Sequence, residues 1–314
     1  MKILVTGSIA YDILLSHDGA FRDAFDGDID QLSAAFVTPH LRKHHGGTGA
    51  NIAWNLRLLH RDPLLVGAVG IDGGEYLALL EERGIATFRI VRNEKLSTAT
   101  AIVATDRNEH QITFYHPGAD GHASWPDLLD DREDIALAIV SPRDASVMVQ
   151  ACDWCREAKV PYVFDPGQQV LAIAEGDLRR CLGSATALIA NAFEWSLLAD
   201  RLGLSTDDVL AQCPTLIVTH GEHGLTVYTG EGTSVITACK AEKIVNPTGA
   251  GDGLRAGILA GLSAKWSILD AARLGASLAS FVVEQEGTLL DFVDVNDVWG
   301  RAEIAYGEVL PELV

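Results

Sequence analysis

No apolar run in this sequence reaches the roughly 18–20 residues that a membrane-spanning helix needs. The amino terminus, Met1-Lys2-Ile3-Leu4-Val5-Thr6-Gly7-Ser8, lacks the long apolar stretch of a secretory leader. The two absences together predict a cytoplasmic chain with no membrane partner. Cysteine is scarce: Cys152, Cys155, Cys181, Cys213 and Cys239 are too few to staple 314 residues. Cys152 and Cys155 have redox or metal spacing, but no second pair matches them and the segment reads as helix, so two semi-buried thiols are expected. Basic residues are few as well. Lys and Arg number 24 against 43 Asp and Glu, a formal charge of −19. A surface this acidic repels nucleic acid and anionic lipid, and any site for an anion must create its own positive potential. The phosphate-cradling pattern Gly-x-x-x-x-Gly-Lys-Ser/Thr is missing, as is the protein-kinase signature set. No internal repeat or low-complexity tract is present.

Hydrophobic residues make up 48% of the chain, enough for a sizeable core. Short, partly β-branched apolar runs recur at Ile3–Val5, Leu64–Val66, Ala136–Val140, Tyr162–Phe164, Ala187–Ala190 and Leu216–Val218, each bounded by turn-forming residues. They read as buried strands of a parallel sheet. Amphipathic segments such as Ala50–Leu59, Glu75–Arg83, Ser146–Ala158 and Glu194–Leu202 lie between them, and alternation of this kind implies an α/β fold with helices on both faces. From Gly249 onward the chain reads as helix, over Ala250–Leu262, Ile268–Glu284 and Val295–Tyr306. Two regions break the pattern. Residues 13–45 show no helical period, and residues 98–116 alternate like a β-hairpin. Together they predict a small β lid on a single domain spanning 1–314. The hairpin's open edges offer a homodimer contact.

The strongest chemical signal is Asn246-Pro247-Thr248-Gly249-Ala250-Gly251-Asp252-Gly253-Leu254-Arg255, a glycine-rich turn running into an amphipathic helix. Unpaired amides at a helix start carry about half a positive charge, and glycines let an anion approach them. Asp252 in the first turn is placed either to take a proton from an attacking hydroxyl or simply to complement the helix dipole; the local pattern favours neither. A second turn, His45-Gly46-Gly47-Thr48-Gly49-Ala50-Asn51, also opens a helix. Taken alone, Asp12 is a turn or cap residue, Asn191 a helix cap and Glu194 its first-turn acid. His44, His45, His116 and His223 have no metal-ligand spacing.

The two glycine turns, about two hundred residues apart and in this order, resemble the paired signatures of the ribokinase-like family, which includes ribokinase, adenosine kinase and the B-type phosphofructokinases. The resemblance covers nearly the whole chain and implies an ATP- and Mg²⁺-dependent kinase. It implies that Gly249, Ala250 and Gly251 stabilise the moving phosphoryl group, with Asp252 as the base. It gives Gly46, Gly47 and Asn51 a substrate-binding role, joined by Ser8 and Asp12 in Gly7-Ser8-Ile9-Ala10-Tyr11-Asp12. Asn191 and Glu194 match the family's Asn-x-x-Glu, which organises Mg²⁺ and phosphate largely through water. Thr219, Gly221 and Gly224 match the loop that receives nucleotide phosphates. Three departures stand out: Asn246 replaces the usual Asp, Gly253 a larger residue, and His220 the usual Arg, Lys or Leu.

Within the family the chain is most similar to the bacterial nucleoside kinases, through Ile112–Ala119, Phe164-Asp165-Pro166-Gly167-Gln168-Gln169 and Asp252–Gly257. That implies a purine nucleoside as acceptor at its 5′-hydroxyl, with Tyr115 stacking near the base and Gln168 and Gln169 reaching the purine. Either Phe114 or Tyr115 is expected only to pack within the hairpin. The alternative acceptor is a pentose, a ketohexose or its phosphate. A phosphorylated acceptor needs extra cations, for which Arg89, Arg92, Lys95 and Arg107 are the candidates. A catalytically silent binding protein on the same scaffold is the rival from another class, encouraged only by Asn246.

Overall fold

The computed structural model describes residues 1–24 and 35–313. The chain begins β1 (Lys2–Thr6), β2 (Ala10–Ser16), β3 (His40–Gly46), α1 (Thr48–Leu58), β4 (Pro63–Val69), α2 (Gly74–Glu82) and β5 (Ile90–Arg92). Next come β6 (Ala99–Thr105), β7 (Gln111–His116), β8 (Ile135–Val140), α3 (Ala145–Ala158), β9 (Tyr162–Phe164), α4 (Glu175–Ser184), β10 (Ala187–Asn191) and α5 (Ala192–Leu202). The remainder is α6 (Thr206–Leu210), β11 (Thr215–Thr219), β12 (Leu225–Thr229), β13 (Gly232–Ile236), α7 (Ala250–Ser263), α8 (Ile268–Val282) and α9 (Val295–Tyr306).

All six expected core strands form, and all six lie parallel in the large sheet, whose order is β13-β12-β11-β10-β9-β8-β1-β4-β5. Their side chains alternate between two cores. Ile3, Val5, Leu65, Ile139, Val163, Ile189 and Ile217 face α1, α2, α7, α8 and α9. Leu4, Leu64, Val66, Val140, Phe164, Leu188 and Val218 face α3 to α6. A strand buried on both sides has no polar face to show, so these runs read as continuously apolar. The β12–β13 hairpin adds an antiparallel edge that the sequence reading did not anticipate.

The second sheet runs β3-β2-β6-β7. Its β6–β7 half is the expected hairpin, paired from Thr100↔His116 to Thr105↔Gln111. The region without helical period contributes β2 and β3, while residues 25–34 lie outside the described residues. All five cysteines are free and buried, Cys152 and Cys155 more deeply than expected.

Small residues set the α7–α8 contact. A β-carbon on Gly257 would lie 2.4 Å from the Gly275 Cα, and one on Gly275 would lie 2.4 Å from the Leu254 carbonyl oxygen. Gly253 belongs to the same seam: its β-carbon would meet Val282 at 2.9 Å, which accounts for the absence of a larger residue there. Overfilling such a contact costs about 1–3 kcal/mol. Gly257→Ala is therefore expected to lower the thermal midpoint by several degrees in calorimetry; an unchanged midpoint would show that the two helices part freely.

Candidate functional site

The order of the large sheet reverses between β1 and β8: β1 is followed by β4 on one side, and β8 continues the sheet on the other. Ligands of open α/β sheets bind beyond the carboxyl ends of the strands at such a reversal. The residues at those ends are Gly7 and Ser8 after β1, Ser141 to Arg143 after β8, Asp165 to Gln169 after β9, Asn191 closing β10 and Thr219 closing β11.

The start of α7 faces this edge. Gly249 has φ 86°, a left-handed conformation that favours glycine. Asn246 Oδ1 accepts the Thr248 amide at 2.9 Å, an Asx turn that Asp or Asn builds equally well. The Asn246 departure thus leaves the turn intact. The Asp252 and Gly253 amides both donate to the Gly249 carbonyl at 3.0 Å, and that of Ala250 to Pro247 at 3.3 Å. The amides of Gly249 and Gly251 have no acceptor among the described residues, so the positive pole of the helix is open.

Asp252 projects from this first turn. Its Oδ2 accepts from Asn51 Nδ2 at 2.7 Å, across 201 residues of sequence. Only an amide nitrogen can donate to a carboxylate, so the orientation of Asn51 is settled, and its Oδ1 accepts from the Thr288 hydroxyl at 2.8 Å. Asn51 also anchors Asn55, whose Nδ2 donates to the Asn51 carbonyl at 2.8 Å. Burial pushes the Asp252 carboxyl up to about 6; Arg255 and the Asn51 hydrogen bond pull against this, while Asp165 and Asp12 add to it.

The other glycine turn brings α1 to the same place. Ser8 is occupied in holding the start of that helix: its hydroxyl accepts the Thr48 amide at 3.2 Å and its carbonyl accepts that of Gly49 at 3.0 Å. Gly47, with φ 94°, has no room for a side chain, and a β-carbon on Gly46 would stand 2.2 Å from Asp12 Oδ2. The Asp12 carboxylate therefore lies directly over bare backbone. Its burial pushes it, too, up to about 6. Register places Asp12 opposite Ala101, and Ala101 opposite Tyr115, so these three share a face of the small sheet. Phe114 pairs with Ile102 and points the other way. Burial, with Asp120 and Asp12 nearby and Arg143 opposing, raises Tyr115 to about 12.

Asp165 and Arg255 form a pairing that sequence reasoning missed, although both lay in stretches it singled out. The Arg255 Nε and Nη2 donate to the two Asp165 oxygens at 2.5 and 2.8 Å, with the Asp165 side chain fully buried. A second missed pair, Arg143 with Asp120 at 2.6 Å, is equally buried and ties the end of β8 to the segment after β7. Thr288 and Tyr76 were missed as well; the Tyr76 hydroxyl donates to the Gly46 carbonyl at 2.7 Å. No spacing rule connects these partners, so the sequence offered no signal for the pairings.

Gln168 is exposed and Gln169 half-buried on the turn beyond Asp165. Asn191 and Glu194 form a reciprocal capping box on α5, and burial raises the Glu194 carboxyl. Gly221 has φ 58° with open space around it, whereas Gly224 has φ 92° and would strike the Ile236 carbonyl oxygen at 2.1 Å. His220 bonds Thr226 Oγ1 at 3.0 Å. Arg89 is held by Asp131 at 2.6 Å and Arg92 by Glu94 at 3.2 Å. Among the described residues no cluster of three metal-ligating side chains occurs.

The chain is similar to known proteins over nearly its whole length. The model of the pfkB family of carbohydrate kinases matches residues 5–294. A nucleoside kinase of Methanothermobacter thermautotrophicus is 28% identical over 309 residues, covering 97% of this chain and 96% of its own. The structure of Burkholderia thailandensis nucleoside kinase in complex with inosine superposes with a TM-score of 0.86 at 33% identity, covering 98% of this chain and 99% of its own. The same enzyme with ADP-inosine gives 0.83 at 32%, covering 99% and 97%.

The geometry makes a direct prediction. In carbon-detected NMR titrations the carboxyls of Asp12 and Asp252 change state at about 6, against roughly 3.9 for an unperturbed Asp. Midpoints near the unperturbed value would mean that water reaches both groups freely.

Proposed function

Because this chain belongs to the pfkB family of carbohydrate kinases and is thus a phosphotransferase with an alcohol acceptor, we propose that it transfers the γ-phosphate of ATP to the 5′-hydroxyl of a purine nucleoside. The observation that carries this reading is the Asn51–Asp252 hydrogen bond, which joins the two glycine turns at the open start of α7.

In this reading Asp252 takes the proton of the 5′-hydroxyl as its oxygen bonds to the γ-phosphorus. The bond from that phosphorus to the bridging oxygen breaks, and ADP leaves with the electron pair. A carboxylate at about 6 is ionised at neutral pH yet more basic than an ordinary Asp. The amides of Gly249 and Gly251, with Ala250 between them, receive the charge that spreads over the moving group. Asp12 and Asn51 hold the ribose hydroxyls over the bare backbone of Gly46 and Gly47; a carboxylate accepting from both hydroxyls of a diol fixes its orientation. Tyr115, on the face of Asp12, supplies a flat wall for the base, and Gln168 and Gln169 supply its polar contacts. Asn191, Thr219, Gly221 and Gly224 line the nucleotide side. Mg²⁺ binds through few protein carboxylates and keeps much of its water; Glu194 would hold it through water, and its charge would offset that of the phosphates.

The engagement of Arg89 and Arg92 by Asp131 and Glu94 speaks against a phosphorylated acceptor. A second copy docking on the small sheet belongs to the same proposal. Its outward face exposes Leu41, Ile102 and Phe114, and a monomer by light scattering at assay concentration would count against docking there.

Coupled ADP release with adenosine, inosine, guanosine, ribose and fructose tests the acceptor. Turnover with nucleosides is expected, and turnover with free sugars alone would overturn this choice. Asp252→Asn is expected to lower kcat by roughly 10²–10⁴-fold with ATP binding retained; near-normal turnover removes it as the base. Since the base must be ionised, kcat/KM rises with pH through about 6. A flat profile down to an ordinary Asp pKa would contradict the assignment.

A further inference from the structure

We propose that Arg255 is a further ligand of the terminal phosphoryl group of the nucleotide, aimed by Asp165, which acts as a positioning residue. The proposal rests on the reading that this phosphoryl group lies at the start of α7.

Arg255 stands three residues after Asp252, on the same side of the helix. Its guanidinium has two hydrogen-bonding edges. The Nε and Nη2 edge is taken by the two Asp165 oxygens at 2.5 and 2.8 Å. Nη1 makes no hydrogen bond among the described residues. It points back along the helix instead, 2.7 Å from where a β-carbon of Gly251 would stand. The residue at 251 thus leaves space beside an amide that itself has no acceptor. Two kinds of donor, an open backbone amide and a charged N–H, converge on one small volume.

The surroundings favour an anion there. Arg255 is close enough to Asp252, Asp165 and Glu194 for each of these carboxylates to favour its charged form, against the cost of burial, yet it bonds only Asp165. With its side chain only 12% exposed, the fork cannot swing into solvent. A nucleotide entering among these acids needs a compensating cation fixed before it arrives, and a guanidinium clamped by a buried carboxylate is one. A purely structural ion pair has no use for the free edge or for its direction.

The test uses the full chain. Removing Arg255 alone would strand the buried Asp165 charge, so Arg255→Gln is combined with Asp165→Asn, which leaves a neutral pair able to fold, as melting curves would verify. Dissociation constants are measured for ADP and for the β,γ-imido analogue of ATP, each with magnesium. The double variant is expected to weaken the analogue roughly tenfold while changing ADP less than about twofold, and to lower kcat about 10²-fold with the nucleoside KM within about threefold. Arg255→Lys, which keeps a point charge without the fork, is expected to recover part of kcat. Equal weakening of ADP and analogue, or a change confined to the nucleoside KM, would overturn the proposal and leave Arg255 as a brace for the Asp165 turn. A wild-type chain that binds the analogue no differently from ADP overturns it too. A wild-type chain that turns over no acceptor defeats the kinase reading by itself, because the comparison of analogue with ADP needs no turnover.

Discussion

A single hydrogen bond, from Asn51 to Asp252, organises this molecule. It links the first turns of two helices whose sequences are separated by most of the chain. Each helix could adopt its own start independently; the bond requires the two starts to be neighbours. Thr288 on the far side of Asn51 and the glycine seam behind α7 supply the rigidity that makes the contact reproducible. The desolvation that raises the Asp252 carboxyl follows from the same closeness, since two helix ends and a loop leave little room for water.

The acidic surface acquires meaning against this background. A chain with a formal charge of −19 has to gather anions by local geometry rather than by its overall field. The start of α7 offers open backbone amides, and the guanidinium groups near it are locked against buried carboxylates, as in the Arg255–Asp165 and Arg143–Asp120 pairs. Such pairs carry little net charge but hold their N–H groups in fixed directions. Direction matters more than total charge where a leaving group and an attacking oxygen must be brought into line.

The sequence was legible where one residue type answers to one physical demand. Short, partly β-branched apolar runs bounded by turn residues marked the strands buried on both faces, because such a strand has no polar face to show and is too short for a buried helix. Glycines before a helix marked the two turns, because the positive φ of Gly47 and Gly249 favours glycine. The β12–β13 hairpin was illegible for the opposite reason: exposed positions such as Val235 mix with polar ones and blur the alternation. Long-range partners were illegible in principle. Asp165 follows a strand and Arg255 lies inside a helix 90 residues later, and nothing local says that they touch. Phe114 and Tyr115 could not be told apart until register fixed which of them shares the face of Asp12.

The seam between α7 and α8 has one further consequence. At Gly257 and Gly275 the spacing of the two helices is set by main chain against main chain, not by the bulk of side chains. The position of the helix that bears Asp252 relative to α8 is therefore fixed by backbone contact at these two points. The seam acts as a spacer of fixed gauge, and any residue larger than glycine at either point would widen it.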